Sequence, residues 1–157
     1  MVSPSSAPKI ADYRLLTHLG QGGVGRVFLA EHVASGRHVA IKILHERFAR
    51  DAEAVARFFA EARLAQQVQH PGIVRVFENG SDPQWGAYLV MEYLSGTTLK
   101  DRLNNGKSWR IDAAYALLRS LAELLAAAHE AGVIHRDLKP ANIFLLEDET
   151  SGHLGLK

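Results

Sequence analysis

The 157-residue chain predicts an α+β protein: a five-stranded antiparallel sheet carrying one helix, followed by a mainly helical second part. Three observations predict it. Up to Leu44, apolar and polar residues alternate with a period of two around Gly and Ser-Gly turns. Over residues 51–69 the apolar period becomes helical. From Ser95 onward the longest regular stretch is again helical, around Leu117 to Ala128.

Residues 1–10 are rich in Pro and Ser and read as a flexible lead-in. Strands are expected over Tyr13 to Leu19, Val27 to Glu31 and Arg37 to Leu44, with a Gly cluster between the first two and Ser35-Gly36 before the third. Val55, Phe58, Phe59, Ala62 and Ala65 then give a helix over 51–69 one apolar face. His70-Pro71-Gly72 ends it, because proline disfavours helical geometry in the residue before it. Ile73 to Glu78 and Ala87 to Tyr93 complete the sheet, and the first region closes at residue 94. In the second region, 95–157, Ser95-Gly96 is a candidate hinge and Thr98 to Leu103 a short helix. Asp112 is the expected N-cap of a long helix to Ala131, which Gly132 closes. That helix carries Tyr115, Leu118, Leu121 and Leu125 around much of its circumference and expects neighbours on several sides. Ile143 to Leu146 and Leu154 to Lys157 are the last strand candidates.

Composition narrows the function. Lys plus Arg number 18 against 17 for Asp plus Glu, a net charge of +1, so no nucleic-acid or anionic-membrane surface is expected. The absence of cysteine excludes disulfides, Cys-based zinc sites and thiol catalysis. No apolar run has the length of a signal-peptide core or a bilayer span, so a cytoplasmic protein is expected, with any anchor lying beyond residue 157 in a longer parent.

Four constellations carry chemistry. The first is Gly20-Gln21-Gly22-Gly23-Val24-Gly25-Arg26-Val27, where glycines let a backbone approach phosphates closely. A dinucleotide-binding turn would lead into a helix. Here Val27-Phe28-Leu29-Ala30 continues as a strand, so the glycines sit in a hairpin, and a plain Gly-rich hairpin is the competing reading. The second is Val39-Ala40-Ile41-Lys42, an apolar strand ending in one lysine that could reach phosphates under the loop. The third is Glu61 on the helix, preferred over Glu53 as an acidic partner for Lys42 because it lies close to the apolar face. The fourth and most specific is His135-Arg136-Asp137-Leu138-Lys139-Pro140-Ala141-Asn142. It puts a carboxylate, a cation and an amide oxygen into one short loop, as phosphoryl transfer requires. His45-Glu46 and His129-Glu130 begin like a zinc-protease motif, but Ala49 and Val133 stand where the second His belongs.

Taken in order, with Met91-Glu92-Tyr93-Leu94 between the third and fourth, these motifs resemble the protein kinase superfamily from about Tyr13 onward. The resemblance implies a two-lobed fold with a complete N-lobe and the start of a helical C-lobe. It implies transfer of the ATP γ-phosphate, with Mg²⁺, to Ser or Thr hydroxyls of proteins. By it, Leu19, Val27 and Ala40 cover the adenine, with Phe144 beneath. Met91 is the gatekeeper, and Glu92 and Leu94 present backbone groups to the adenine edge. Gly20, Gln21, Gly22, Gly23, Val24 and Gly25 form the phosphate loop. Lys42 holds phosphates and pairs with Glu61. Asp137 orients the attacking hydroxyl and accepts its proton, Lys139 neutralises the γ-phosphate, and Asn142 binds Mg²⁺.

Arg136 and Lys139 resemble the serine/threonine form of the loop, and the wording around it resembles bacterial members. His70-Pro71-Gly72 departs from the family's commoner His-Pro-Asn. The family follows the last strand with Asp-Phe-Gly, whose Asp binds Mg²⁺, so residues 1–157 by themselves are expected not to transfer phosphate efficiently. Two other readings stand beside this one. One is a nucleotide-binding or kinase-pairing module without turnover, a kinase–kinase dimer among its forms. The other is a small-molecule phosphotransferase of related fold.

Overall fold

The computed structural model describes residues 7–106, 109–135, 137–147 and 154–156, and divides into two compact units. The first is made by the chain up to Arg63 together with Arg75–Tyr93. Its strands are β1 (Lys9–Ile10), β2 (Tyr13–Gln21), β3 (Gly25–His32), β4 (His38–Leu44), β5 (Val76–Asp82) and β6 (Gly86–Glu92). All are paired antiparallel in the order β1-β2-β3-β4-β6-β5. Helix α1 (Ala52–Gln67) begins in this unit.

β4 explains how the sheet is held. Val39, Ile41 and Ile43 lie in a fully buried cluster with Ile10, Tyr13, Leu15, Ala30, Tyr88 and Val90. Leu44, one step out of phase, packs instead with Ala87, Leu89 and two α1 residues, Phe58 and Ala62. The strand therefore buries both faces, and removing a side chain such as Phe58 from water stabilises by about 1.5–3 kcal/mol. The helical period of α1 is kept, with Ala54, Phe58 and Ala62 as its buried stripe.

Two expectations about this unit are corrected. The sheet has six strands, not five, because Lys9 and Ile10 turn back at Ala11 (φ +46°) and pair with Arg14 and Tyr13. β5 starts at Val76 instead of Ile73 and runs through Asn79-Gly80-Ser81 to Asp82, past its expected end at Glu78. Gly80 makes this workable: a Cβ there would meet the Tyr88 Oη at 2.7 Å. The turn follows, where Asp82 Oδ1 accepts the N–H groups of Gln84 and Trp85 at 2.8 and 3.0 Å.

The second unit comprises Leu64–Val74 and the chain from Leu94. It holds β7 (Gly96–Thr98), α2 (Leu99–Asn104), α3 (Ile111–Glu130), β8 (Phe144–Glu147) and β9 (Leu154–Leu156), the strands pairing in the order β7-β8-β9. Gly96, expected at a hinge, opens β7 opposite Leu146, and a Cβ on it would overlap the Leu145 carbonyl oxygen. Thr98 caps α2 by accepting the Asp101 N–H at 3.1 Å.

Asp112 is not the N-cap of α3. Arg110 holds that position without a side-chain cap, and Asp112 sits in the first turn, bound by the Arg110 guanidinium at 2.9 Å. An acid there still favours the positive helix end. Gly132 closes α3 as expected, with φ +73°. The departure at Gly72 has a packing reason: a Cβ there would meet Leu124 Cδ1 at 2.6 Å and His70 Nδ1 at 3.0 Å. Leu124 and Ala128 are the buried residues of α3, while Ile111, Tyr115 and Leu118 are 90%, 69% and 65% exposed.

Candidate active site

In the first unit the sheet register assembles the expected adenine and phosphate residues. Val27 faces Lys42 across β3 and β4, and Ala40 faces both Leu29 and Met91. Cross-strand partners share a face, so Val27, Ala40, Lys42 and Met91 lie on one side of the sheet. Leu19 sits in the irregularity between His18 and Gly20, and is exposed. Glu92 donates its N–H to the Arg75 carbonyl at 2.9 Å, and its Oε1 accepts the Arg75 N–H at 2.7 Å.

The glycine hairpin separates into two kinds of position. Gly20 and Gln21 pair with Val27 and Arg26, and the Gly22 N–H closes the turn on the Gly25 carbonyl at 2.9 Å. Gly25 is required by its neighbour strand, since a Cβ would overlap the Ile43 carbonyl oxygen. At Gly20, Gly22 and Gly23 a Cβ would meet nothing within 4 Å. Packing does not demand glycine at those three positions.

Two residues with no role in the sequence reading hold this hairpin. His45 Nε2 donates to the Gly22 carbonyl at 2.8 Å, and Arg47 Nη2 to the Gly23 carbonyl at 2.6 Å. The His45 N–H also donates to the Val24 carbonyl at 3.0 Å. No local pattern marks them, because the contacts span 23 and 24 residues.

The implied pair of Lys42 and Glu61 is not formed. Among the described residues no ion pair joins them, and Glu61 is exposed. Glu61 lies three residues after Phe58 and seven after Ala54, at the margin of the buried stripe of Ala54, Phe58 and Ala62, and its side chain is turned to solvent. The Lys42 ammonium lies 5.7 Å from the Phe58 ring centroid, a cation–π contact. Glu53 is not the partner either, being paired with Arg57 at 3.3 Å.

In the second unit the loop after α3 brings Asp137, Lys139 and Asn142 together. Lys139 Nζ donates to Asp137 Oδ1 and Oδ2 at 2.9 and 2.7 Å. Asn142 Nδ2 donates to the Asp137 carbonyl and to its Oδ2, both at 2.9 Å. A one-turn 3-10 helix, Pro140–Asn142, sets this spacing, with Pro at its start and the Asn142 N–H on the Lys139 carbonyl at 2.9 Å. The ammonium of Lys139, then the Asn142 amide, hold the Asp137 carboxyl below the usual carboxylate range. Both side chains stay open to solvent, 63% for Asp137 and 52% for Lys139. Phe144 pairs with Thr98, and Ile143 and Leu145 are buried on the alternate phase. Leu94 is half-buried in this unit. Arg136 lies outside the described residues.

The donor set fits Mg²⁺ and not a protein-only metal cage. Among the described residues no group of three or more His, Cys, Asp or Glu could hold an ion. Mg²⁺ is ordinarily held by one or two protein oxygens plus substrate phosphates. With Nδ2 of Asn142 committed to Asp137, its Oδ1 is the remaining hard oxygen of that amide.

Comparison with known proteins identifies the family. The family described as "Protein kinase domain" matches residues 13–157. The chain is 45% identical over 145 residues to serine/threonine-protein kinase pkn2 of Myxococcus xanthus, covering 92% of this chain and 17% of that protein. It is 37% identical over 133 residues to serine/threonine-protein kinase PrkC of Bacillus subtilis, covering 85% of this chain and 20% of that one. It thus spans a fifth or less of these relatives. The crystal structure of the Mycobacterium tuberculosis PknI kinase domain matches 96% of this chain and 60% of that one, with a TM-score of 0.76 at 27% identity. The chain belongs to the protein kinase domain family.

Proposed function

We propose that this chain binds ATP with Mg²⁺, and that the protein containing it transfers the γ-phosphoryl group to Ser or Thr hydroxyls of protein substrates. The observation that carries the reading is the contact of Asp137 with both Lys139 and Asn142 in one loop. In this reading Gly20, Gly22 and Gly23 admit the phosphates, Lys42 binds them, and Val27, Ala40 and Met91 receive the adenine on the same sheet face. Asp137, ionised at neutral pH, orients the substrate hydroxyl and takes its proton as the bond to phosphorus forms. Lys139 leaves the carboxylate far enough to neutralise the transferring group, a movement its half-exposed side chain permits. Asn142 would hold Mg²⁺, which supplies charge neutralisation at the phosphates. Among the described residues no helix is long and apolar enough to cross a membrane, and a cytoplasmic setting, where ATP is available, belongs to the same proposal.

The test is Asp137→Asn in the full-length protein. Transfer of labelled phosphate to Ser or Thr should fall by about 10²–10⁴-fold while ATP affinity stays nearly constant. Equal loss of both would refute the assignment. A second reading, nucleotide binding without turnover, is favoured by the unpaired state of Lys42 and Glu61. It predicts ATP binding with no transfer in the unaltered protein.

A further inference from the structure

We propose that His45 and Arg47 are positioning residues that aim the glycine hairpin's amides at nucleotide phosphates, an inference that rests on the nucleotide-binding reading above. Three successive carbonyls of the hairpin, those of Gly22, Gly23 and Val24, are all bound by the segment just after β4. Gly22, Gly23 and Val24 lie between β2 and β3, outside their ladder, so their carbonyls are held by these donors and not by strand pairing with one another.

The consequence follows from peptide geometry. A trans peptide sets its N–H antiparallel to its C=O. Fixing the Gly22 and Gly23 carbonyls toward His45 and Arg47 therefore turns the N–H groups of Gly23 and Val24 away from them. Among the described residues neither of those N–H groups donates to a protein acceptor. Two adjacent amides aimed the same way and left unmatched by protein form an anion-binding pair. The Cβ-free space at Gly22 and Gly23 lets an anion reach it.

The brace is anchored. The Arg47 guanidinium stacks 4.7 Å from the Phe48 ring centroid, and Phe48 packs on the cluster of Leu44, Phe58 and Leu89. His45 follows β4 directly, three residues after Lys42. The hairpin's amides and the lysine ammonium are thus referred to the same strand, and the entropy of ordering a glycine-rich turn falls before nucleotide arrives.

The experiment uses the 157-residue chain with adenosine, ADP and ATP, Mg²⁺ present throughout, and the variants Arg47→Ala, Arg47→Lys, His45→Ala and His45→Gln. Calorimetry should show ADP and ATP weakened about tenfold by either alanine variant, the order expected for one lost hydrogen bond to a charged or polar donor. Adenosine affinity should stay within about twofold, and Arg47→Lys and His45→Gln should recover most of the loss. Without nucleotide, the carbonyl ¹³C shift of Gly23 should move in Arg47→Ala and that of Gly22 in His45→Ala. Equal weakening of adenosine and ATP would mean general loosening of the unit and would overturn the proposal. So would unchanged ATP affinity in both alanine variants. If the unaltered chain binds ATP no better than adenosine, the phosphate role of the hairpin falls first, and this inference with it.

Discussion

Alanine at Gly25 and alanine at Gly22 should have opposite effects on stability, although both lie in one hairpin. A Cβ on Gly25 would overlap the Ile43 carbonyl oxygen, a backbone atom of the neighbouring strand that cannot swing aside. Overpacking of this kind costs about 1–3 kcal/mol. At about 2–4 °C per kcal/mol for a chain of this size, Tm should fall by roughly 2–12 °C. At Gly22 and Gly23 a Cβ meets nothing and φ is not positive, so alanine should stabilise by about 0.4–1 kcal/mol through the unfolded state. Tm should then rise by roughly 1–4 °C. Nucleotide reverses the ranking. A methyl group in the path of the phosphates should weaken ATP by roughly 5- to 150-fold while sparing adenosine, if it costs about 1–3 kcal/mol there. The assay is thermal unfolding followed by Trp85 fluorescence in a Trp109→Phe background, with calorimetry alongside. Trp85 reports on the sheet unit, where it packs on the cluster around β4. Destabilisation by Gly22→Ala as large as that by Gly25→Ala would show that the turn itself needs glycine. The phosphate argument from open space would then collapse.

Three further predictions follow from the geometry. Gly72→Ala should destabilise the second unit by about 1 kcal/mol through Leu124. The cost should shrink by at least about 0.5 kcal/mol in a Leu124→Ala background, and full additivity in a double-mutant cycle would refute the contact. Lys139→Met should raise the Asp137 titration midpoint toward the ordinary carboxylate value, read by carboxyl ¹³C shifts. Because the folded value is depressed, what these contacts add to stability is present above the unfolded pKa and lost as pH falls through the folded one. The acid transition of the variant should therefore start at higher pH, and an unmoved midpoint would contradict the clamp. Glu61→Ala should leave stability within about 0.5 kcal/mol, as the residue is exposed, while Phe58→Ala should cost about 3–5 kcal/mol. A tenfold loss of transfer in full-length Glu61→Ala would mean that Lys42 meets Glu61 during turnover; unchanged transfer would remove Glu61 from the site.

The legible parts of this chain were those set by local period and short motifs. β4 and the buried stripe of α1 follow from alternation and helical spacing, and the Asp137 loop places its three polar residues within six positions. What stayed hidden depends on distant contacts. β5 runs through turn-forming residues because Tyr88 lies against Gly80. Gly72 answers to Leu124, and the hairpin to His45 and Arg47, over separations that no local window spans. Glu61 stands seven residues after Ala54 and three after Phe58, on the edge of the buried stripe, so the helical period by itself does not decide whether its carboxylate faces Lys42 or solvent.

The strand Lys9–Ile10 bears on where this protein can be cut. Ile10 is wholly buried in the cluster that holds Tyr13 and Leu15, the Trp85 indole donates to the Lys9 carbonyl at 2.9 Å, and the Leu15 N–H donates to the Pro8 carbonyl at 2.9 Å. A version begun at residue 11, where the alternating pattern first becomes obvious, would leave a void under the sheet. It would also uncover the first backbone groups of β2 as an edge open to another chain. Self-association of such a shortened protein would be a property of the cut, and a kinase pair measured with it would have to be measured again with Pro8, Lys9 and Ile10 restored.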